Sequence, residues 1–283
     1  MTSTIEILTG FNSPEHALTF PPMADVAKHV LRNADVQWNG FSPEDYWQRN
    51  YRELQAEDQE IIRQVSRFLA AAFTGRPRAR RGIDVGSGTN LYPALLMLPW
   101  TERILLTDLS ASNADWLRRQ LADDGAAWTW RPFWGEMQRA EGYTEIDDPR
   151  KHLQMACHSE PGYAGIEQRS VFSLPEAHWD LGTMFFVAES ITEDREEFRA
   201  ALTRFARALK PGAPFATAFM AGSHGYPVAG TYYPALPITP DDVQRHFTEL
   251  GACDLRVELL RTEHRVRDGY EGMIVATGVV RDS

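Results

Sequence analysis

The chain predicts an α/β fold: a doubly wound, mostly parallel sheet of Rossmann-like type with a helical cap ahead of it. Three observations predict it. Short buried-type strands alternate with helical patterns, as in Gly82–Val85, Ile104–Leu106 and Leu181–Val187. The first of these strands runs into a glycine turn, Gly86-Ser87-Gly88, where the missing Cβ atoms let a ligand approach the backbone. The second strand ends at Asp108, 22 residues past Gly86, about the offset at which an acid in a βαβ unit reaches a ribose hydroxyl.

In order along the chain, residues 1–40 are weakly patterned, with a break at Phe20-Pro21-Pro22 and a modest helix expected over Asp25–Arg32. Ser42-Pro43-Glu44-Asp45 is a helix start with Pro at the first position, and its helix carries Tyr46, Trp47, Tyr51 and Leu54. Ile61, Val65, Phe68, Leu69 and Ala72 repeat at helical spacing up to Gly75. Residues 1–75 therefore read as a helical cap or lid, and 76–283 as the nucleoside-binding domain. Leu91–Met97 is the first crossover helix, and Ala114, Leu117 and Leu121 face one side of the next. Residues 125–163 read as an irregular insertion with an aromatic cluster and a short helical piece near Lys151–Cys157. A third strand is expected around Gly165–Val171, a helix over Glu193–Leu209 and a fifth strand over Pro214–Met220. Ala221–Pro237 reads as a loop, Thr239-Pro240-Asp241-Asp242 starts another helix, and Leu255–Leu260 with Met273–Val280 forms a closing strand pair.

Composition limits the partners. With 283 residues, 43% of them hydrophobic, the chain can bury a large core. A net charge of −10 and no basic run disfavour nucleic acid. No apolar run approaches the ~20 residues of a membrane span and no signal segment opens the chain, so a cytoplasmic, soluble protein is expected, as a monomer or weak homodimer. Cys157 and Cys253 read as two reduced thiols, and no HExxH or paired CxxC offers a metal site.

The corner excludes two ligand classes. A dinucleotide fingerprint needs a third glycine at Leu91, and a P-loop needs a following Lys with Ser or Thr. A mononucleoside-type ligand remains. Asp84–Gly88 (DVGSG) resembles the turn of class I S-adenosylmethionine (SAM) methyltransferases. Three blocks resemble a narrower family, the nicotinamide, phenylethanolamine and indolethylamine N-methyltransferases with their bacterial relatives: FSPEDYWQRNY at Phe41–Tyr51, IDVGSGTNLY at Ile83–Tyr92 with LLTDLSASN at Leu105–Asn113, and TYYPALPITPDDV at Thr231–Val243. The resemblance implies the class I fold with a seven-stranded sheet, and SAM as methyl donor with S-adenosylhomocysteine (SAH) as product. It also implies donor contacts from Tyr46, Tyr51, Gly86, Ser87, Gly88, Tyr92, Asp108, Leu109 and Asn113. Ser170-Val171 falls where the family has an Asp-Val pair on the adenine.

Methyl transfer from a sulfonium is an in-line displacement that positioning and exclusion of water accelerate, and it requires no covalent residue. Where relatives place polar acceptor contacts, this chain has Phe219, Met220 and Ala235. The expected acceptor is therefore a flat, rather apolar aromatic or amine metabolite rather than nicotinamide, methylated at nitrogen. Methylation of an indole-type ring carbon in natural-product biosynthesis is the alternative, and a non-catalytic SAM-binding protein a more distant one. Glu189, after the fourth strand, and His224 and Tyr226, in the following glycine-rich loop, are the candidate proton-handling residues.

Overall fold

The computed structural model describes residues 30–122, 128–158, 165–261 and 269–281. Most of the helix expected over Asp25–Arg32 and part of the insertion lie outside them. In chain order the elements are α1 (Pro43–Asn50), α2 (Ala56–Phe73), β1 (Gly82–Val85), α3 (Tyr92–Met97), β2 (Ile104–Asp108), α4 (Ala111–Ala122), α5 (Arg131–Met137) and α6 (Pro149–Cys157). They continue with β3 (Ile166–Gln168), β4 (Leu181–Phe185), α7 (Arg195–Ala208), β5 (Pro214–Ala221), β6 (Gly225–Val228), β7 (Thr231–Pro234), α8 (Pro240–Glu249), β8 (Cys253–Leu260) and β9 (Gly272–Val279).

Seven strands form one sheet in the order β3-β2-β1-β4-β5-β9-β8. The five from β3 to β5 are parallel, and β9 joins antiparallel between β5 and β8. This is the doubly wound sheet expected from the sequence. The chain moves outward through β1, β2 and β3, then returns to lay β4 on the other side of β1. The crevice at that reversal, above the carboxyl ends of β1 and β4, is where such sheets bind ligands. Both faces are covered, so β1, β2, β4 and β5 are buried at every position.

The helices begin where the sequence places their caps. Asp194 accepts hydrogen bonds from the backbone of Glu196 and Glu197 at the start of α7, whose Phe198, Leu202 and Phe205 are buried. Thr239 and Asp242 form a capping box on α8. Ser42 sits at the N-cap of α1, but its hydroxyl donates to Asp45 (2.8 Å) instead of accepting from the backbone.

Two regions depart from the sequence expectation. Ala221–Pro237 is largely a hairpin, β6–β7, with Val228 opposite Thr231 and a two-residue turn at Ala229-Gly230. Both turn residues have positive φ (47° and 81°), the geometry that matches hairpin twist. An Ala in the first position hid a signal that Asn or Asp would have given. The insertion holds a helix that was not expected, α5, where Trp130, Phe133 and Trp134 bury their rings against α2 and α3, whereas α6 is the short helical piece expected near Lys151–Cys157.

The two N-terminal helices also part company: α1 borders the ligand crevice, whereas α2 packs on the sheet face beside α3, α5, β5 and β9. Asp58 on α2 is buried there. Its carboxyl and the hydroxyl of Tyr92 face one another without a hydrogen bond of standard geometry. Burial pushes Asp58 up to about 7, with Glu57 adding to the rise and Tyr92 opposing it. A raised carboxyl stabilises the fold below its unfolded value near 3.8, and that stability is lost as pH rises through about 7. The melting temperature of Asp58→Asn is therefore expected to exceed that of the wild type by several degrees at pH 8, with the gap closing by pH 5; a constant gap would mean that Asp58 is not the titrating group.

Candidate functional site

The glycine turn follows β1 directly. Gly86 has φ of 66°, and a Cβ there would lie 2.6 Å from Val187 on the loop after β4, so only glycine fits. Ser87 ties the turn to β2 by donating its N–H to the Thr107 carbonyl (2.8 Å). Gly88 then donates its N–H to Asp108 Oδ2 at 2.9 Å. Asp108 Oδ1 accepts from the Ser110 N–H (2.8 Å) and the Asn113 amide (3.2 Å). Desolvation raises the Asp108 carboxyl to about 6 against the lowering effect of these three donors. Beneath it, Asp84 is also buried and raised to about 7 by desolvation, with Oδ1 accepting from Thr183 (2.7 Å).

A cavity of about 770 Å³, counted out to its mouth, opens over this corner. Of the residues singled out in the sequence, Tyr46, Tyr51, Gly86, Ser87, Gly88, Asp108, Leu109, Asn113, Ser170, Val171 and Tyr226 border it together. Three do not. Tyr92 is fully buried behind the wall, between Tyr51 (6.3 Å), Phe133 (5.6 Å) and Phe185 (5.5 Å), with its hydroxyl toward Asp58. As the first residue of α3 it is turned into the helical layer rather than into the crevice. Glu189 is also fully buried, with Oε1 accepting from the Met220 N–H (2.9 Å) and the Ser190 hydroxyl (3.1 Å). His224, just ahead of β6, is exposed, packs beside Gly269 and does not border the cavity.

Other cavity residues carried no separate sequence signal. Asn33, Trp38 and Phe41 come from the strap ahead of α1, and Phe185, Phe186 and Ser190 from the end of β4. The aromatic rings form a connected set. Trp38 stacks on Tyr233 (5.5 Å), Tyr233 on Tyr226 (5.7 Å), and Tyr46 meets Tyr226 edge-on at 5.9 Å. Thr89 and Asn90 also border the cavity. Thr89 Oγ1, Asn90 Nδ2 and Asn113 Oδ1 are buried without a hydrogen-bond partner. Unpaired polar atoms at a cavity wall, beside a carboxylate and a bare glycine turn, suit a polar nucleoside ligand.

The model of the NNMT/PNMT/TEMT family matches residues 28–277. The chain belongs to this family. It is a SAM-dependent methyltransferase, and SAM is its donor. Among curated proteins it is similar to human nicotinamide N-methyltransferase, 22% identical over 222 residues, spanning 77% of this chain and 84% of that one. Among solved structures it is similar to the N-methyltransferase NodS from Bradyrhizobium japonicum in complex with SAH (11% identity, 84% and 93% of the two chains, TM-score 0.49). It is also similar to the 1,6-didemethyltoxoflavin-N1-methyltransferase of Burkholderia thailandensis with its ligand and SAH (16% identity, 84% and 82%, TM-score 0.45). Among the described residues no His, Cys, Asp and Glu cluster could hold a metal, and no helix is long and apolar enough to cross a membrane. Both cysteines are free, Cys157 buried and Cys253 exposed.

For a methyltransferase of this family, SAH is expected to raise the melting temperature, and Asp108→Ala to weaken SAH by ~10–100-fold, the range for losing a charged hydrogen-bond acceptor. Because a ribose hydroxyl favours the ionised carboxylate, wild-type affinity should fall as pH drops through about 6. Titration calorimetry of wild type and Asp108→Asn at pH 5 and 7.5 checks this; equal pH dependence in the two proteins would remove Asp108 as the cause.

Proposed function

We propose that this methyltransferase transfers the methyl group to nitrogen in a small, flat aromatic or amine metabolite. The observation that carries the reading is the aromatic wall of Trp38, Phe41, Tyr46 and Tyr226 beside the glycine turn, with Asp108 the only carboxylate and Arg169 the only cationic side chain among the described residues that border the cavity. Arg169 is already committed, its guanidinium donating to Glu167 (2.8 Å) and to the Ser173 carbonyl (3.4 Å). Phe219, Met220 and Ala235 are buried and do not border the cavity, so these three positions offer it no ammonium anchor. A flat acceptor gains area and ring contact in such a chamber.

Bound SAM supplies the electrophilic methyl. In this reading Asp108 holds the ribose hydroxyls, Asn113 supports it, and Leu109, Ser170 and Val171 flank the adenine. Gly86, Ser87 and Gly88 form the floor of the site. Tyr46 and Tyr51 close over the methyl end, exclude water and face the sulfonium with π density. Tyr92 acts from behind, as the ring on which Tyr51 rests. Tyr226 lies against the acceptor, its hydroxyl donating to the Ser190 carbonyl (3.2 Å). An amine lone pair needs no base for this displacement.

A second reading is favoured by one contact. Ser190 borders the cavity and hydrogen-bonds the buried carboxylate of Glu189, so a proton could leave an indole-type ring carbon by that route. His224, exposed ahead of the hairpin, has no such path. A screen of arylamines, tryptamines and indoles with methyl-labelled SAM tests the proposal. N-methyl products are expected, with Tyr226→Ala lowering turnover at least tenfold while leaving SAH affinity unchanged. C-methyl products lost in Glu189→Gln would establish the carbon reading, and a complete lack of acceptor turnover by SAH-binding protein would favour a binding role.

A further inference from the structure

Asp58 is a buried acid that the proposed chemistry does not use. It lies in the first turn of α2, is 2% exposed, and has no ion-pair partner among the described residues. Its Oδ1 is buried without a hydrogen-bond partner, as is the hydroxyl oxygen of Tyr92. A buried acid with an open oxygen and no cation lowers stability, and an apolar side chain of like size in its place is often stabilising. Packing alone gives no reason for an acid here.

Tyr92 gives one. Its ring is the hub of an aromatic cluster. It stacks on Phe133 (5.6 Å, 18°) and meets Phe185 (5.5 Å, 72°) and Tyr51 (6.3 Å, 73°) edge-on. Tyr51 and Phe185 border the cavity, whereas Tyr92 does not. The Asp58 carboxyl reaches the Tyr92 hydroxyl from α2, and the Asn90 amide reaches it from the turn ahead of α3. The amide acts there as donor and the carboxyl as acceptor. Asn90 borders the cavity too, and its Oδ1 accepts the Tyr92 N–H (3.2 Å). A polar chain thus runs from Asn90 through Tyr92 to Asp58, behind the cavity wall. The hydroxyl and Oδ1 do not reach standard hydrogen-bond geometry, so the carboxyl steers the hydroxyl electrostatically.

We propose that Asp58 is a positioning residue for the donor site: it steers the hydroxyl of Tyr92 and thereby fixes the two wall rings, Tyr51 and Phe185, that lean on Tyr92. The proposal rests on SAM as donor and on Tyr51 closing over its methyl end. An acid at this place trades stability of the fold for a set wall, because a rigid wall spares the ligand the cost of ordering it.

The test is titration calorimetry of SAH at pH 7.5, with thermal melts of the same full-length variants. Asp58→Leu has nearly the shape of the acid and no acceptor oxygen. It is expected to melt above wild type yet bind SAH about tenfold more weakly. Asp58→Asn keeps a carbonyl oxygen for the hydroxyl and is expected to bind within about twofold of wild type. Tyr92→Phe keeps the ring but not the hydroxyl; it is expected to match Asp58→Leu, and combining the two to add nothing. An acid with a purely structural role would leave SAH affinity unchanged in Asp58→Leu. That result, unchanged affinity in Tyr92→Phe, or an additive loss in the double variant overturns the proposal. Unchanged SAH affinity in Tyr51→Ala would instead bring down the lid reading, and a folded wild type that binds neither SAH nor SAM the donor assignment.

Discussion

The site depends on a carboxylate pulled out of water and held over a glycine bend. Asp108 sits at the tip of β2, and its oxygens are claimed by the N–H of Gly88, the N–H of Ser110 and the amide of Asn113. Each donor comes from backbone or a side chain fixed by the β1–α3 and β2–α4 connections, so the carboxylate cannot turn away without breaking both corners. Desolvation outweighs the three donors and leaves the group near 6. An acid kept this reluctant to ionise gains from any further hydroxyl donor, which is what a ribose offers.

The crevice owes its shape to strand order. Since β4 returns to the free side of β1, the loop after β4 is brought against the glycine turn, and Val187 closes on Gly86. The strap of residues 31–41 and the β6–β7 hairpin then face each other across the opening through Trp38, Tyr226 and Tyr233. Donor corner and aromatic chamber are thus built by different parts of the chain. The corner comes from the parallel sheet, whereas the chamber comes from a strap and an added hairpin, the parts that can vary between relatives without disturbing the sheet.

Several carboxyls are buried in this protein. Asp58, Asp84 and Asp108 are all raised by burial, and Tyr92, pressed against Asp58, has its hydroxyl raised well above the usual range. The three carboxyls each cost stability at neutral pH, whereas Tyr92 is neutral there whether the chain is folded or not. Asp108 borders the ligand crevice, where a bound donor can offset its share of that cost by linkage.

The sequence by itself determined the sheet, the glycine turn and Asp108, because buried strands, a positive-φ glycine and an acid at fixed offset are all local or short-range patterns. Tyr46 and Tyr51 stood out in the sequence through their motif block, and Tyr226 through its place in the glycine-rich loop after the fifth strand. The tertiary structure alone decided that Tyr92 turns away from the crevice, that Glu189 meets the cavity only through Ser190, and that His224 lies outside it. The hairpin at Ala229-Gly230 and the strap residue Asn33 were hidden for the same reason. Which way a side chain faces, and which distant segment lies across it, depends on contacts between residues far apart in the chain, and no periodicity or spacing records those.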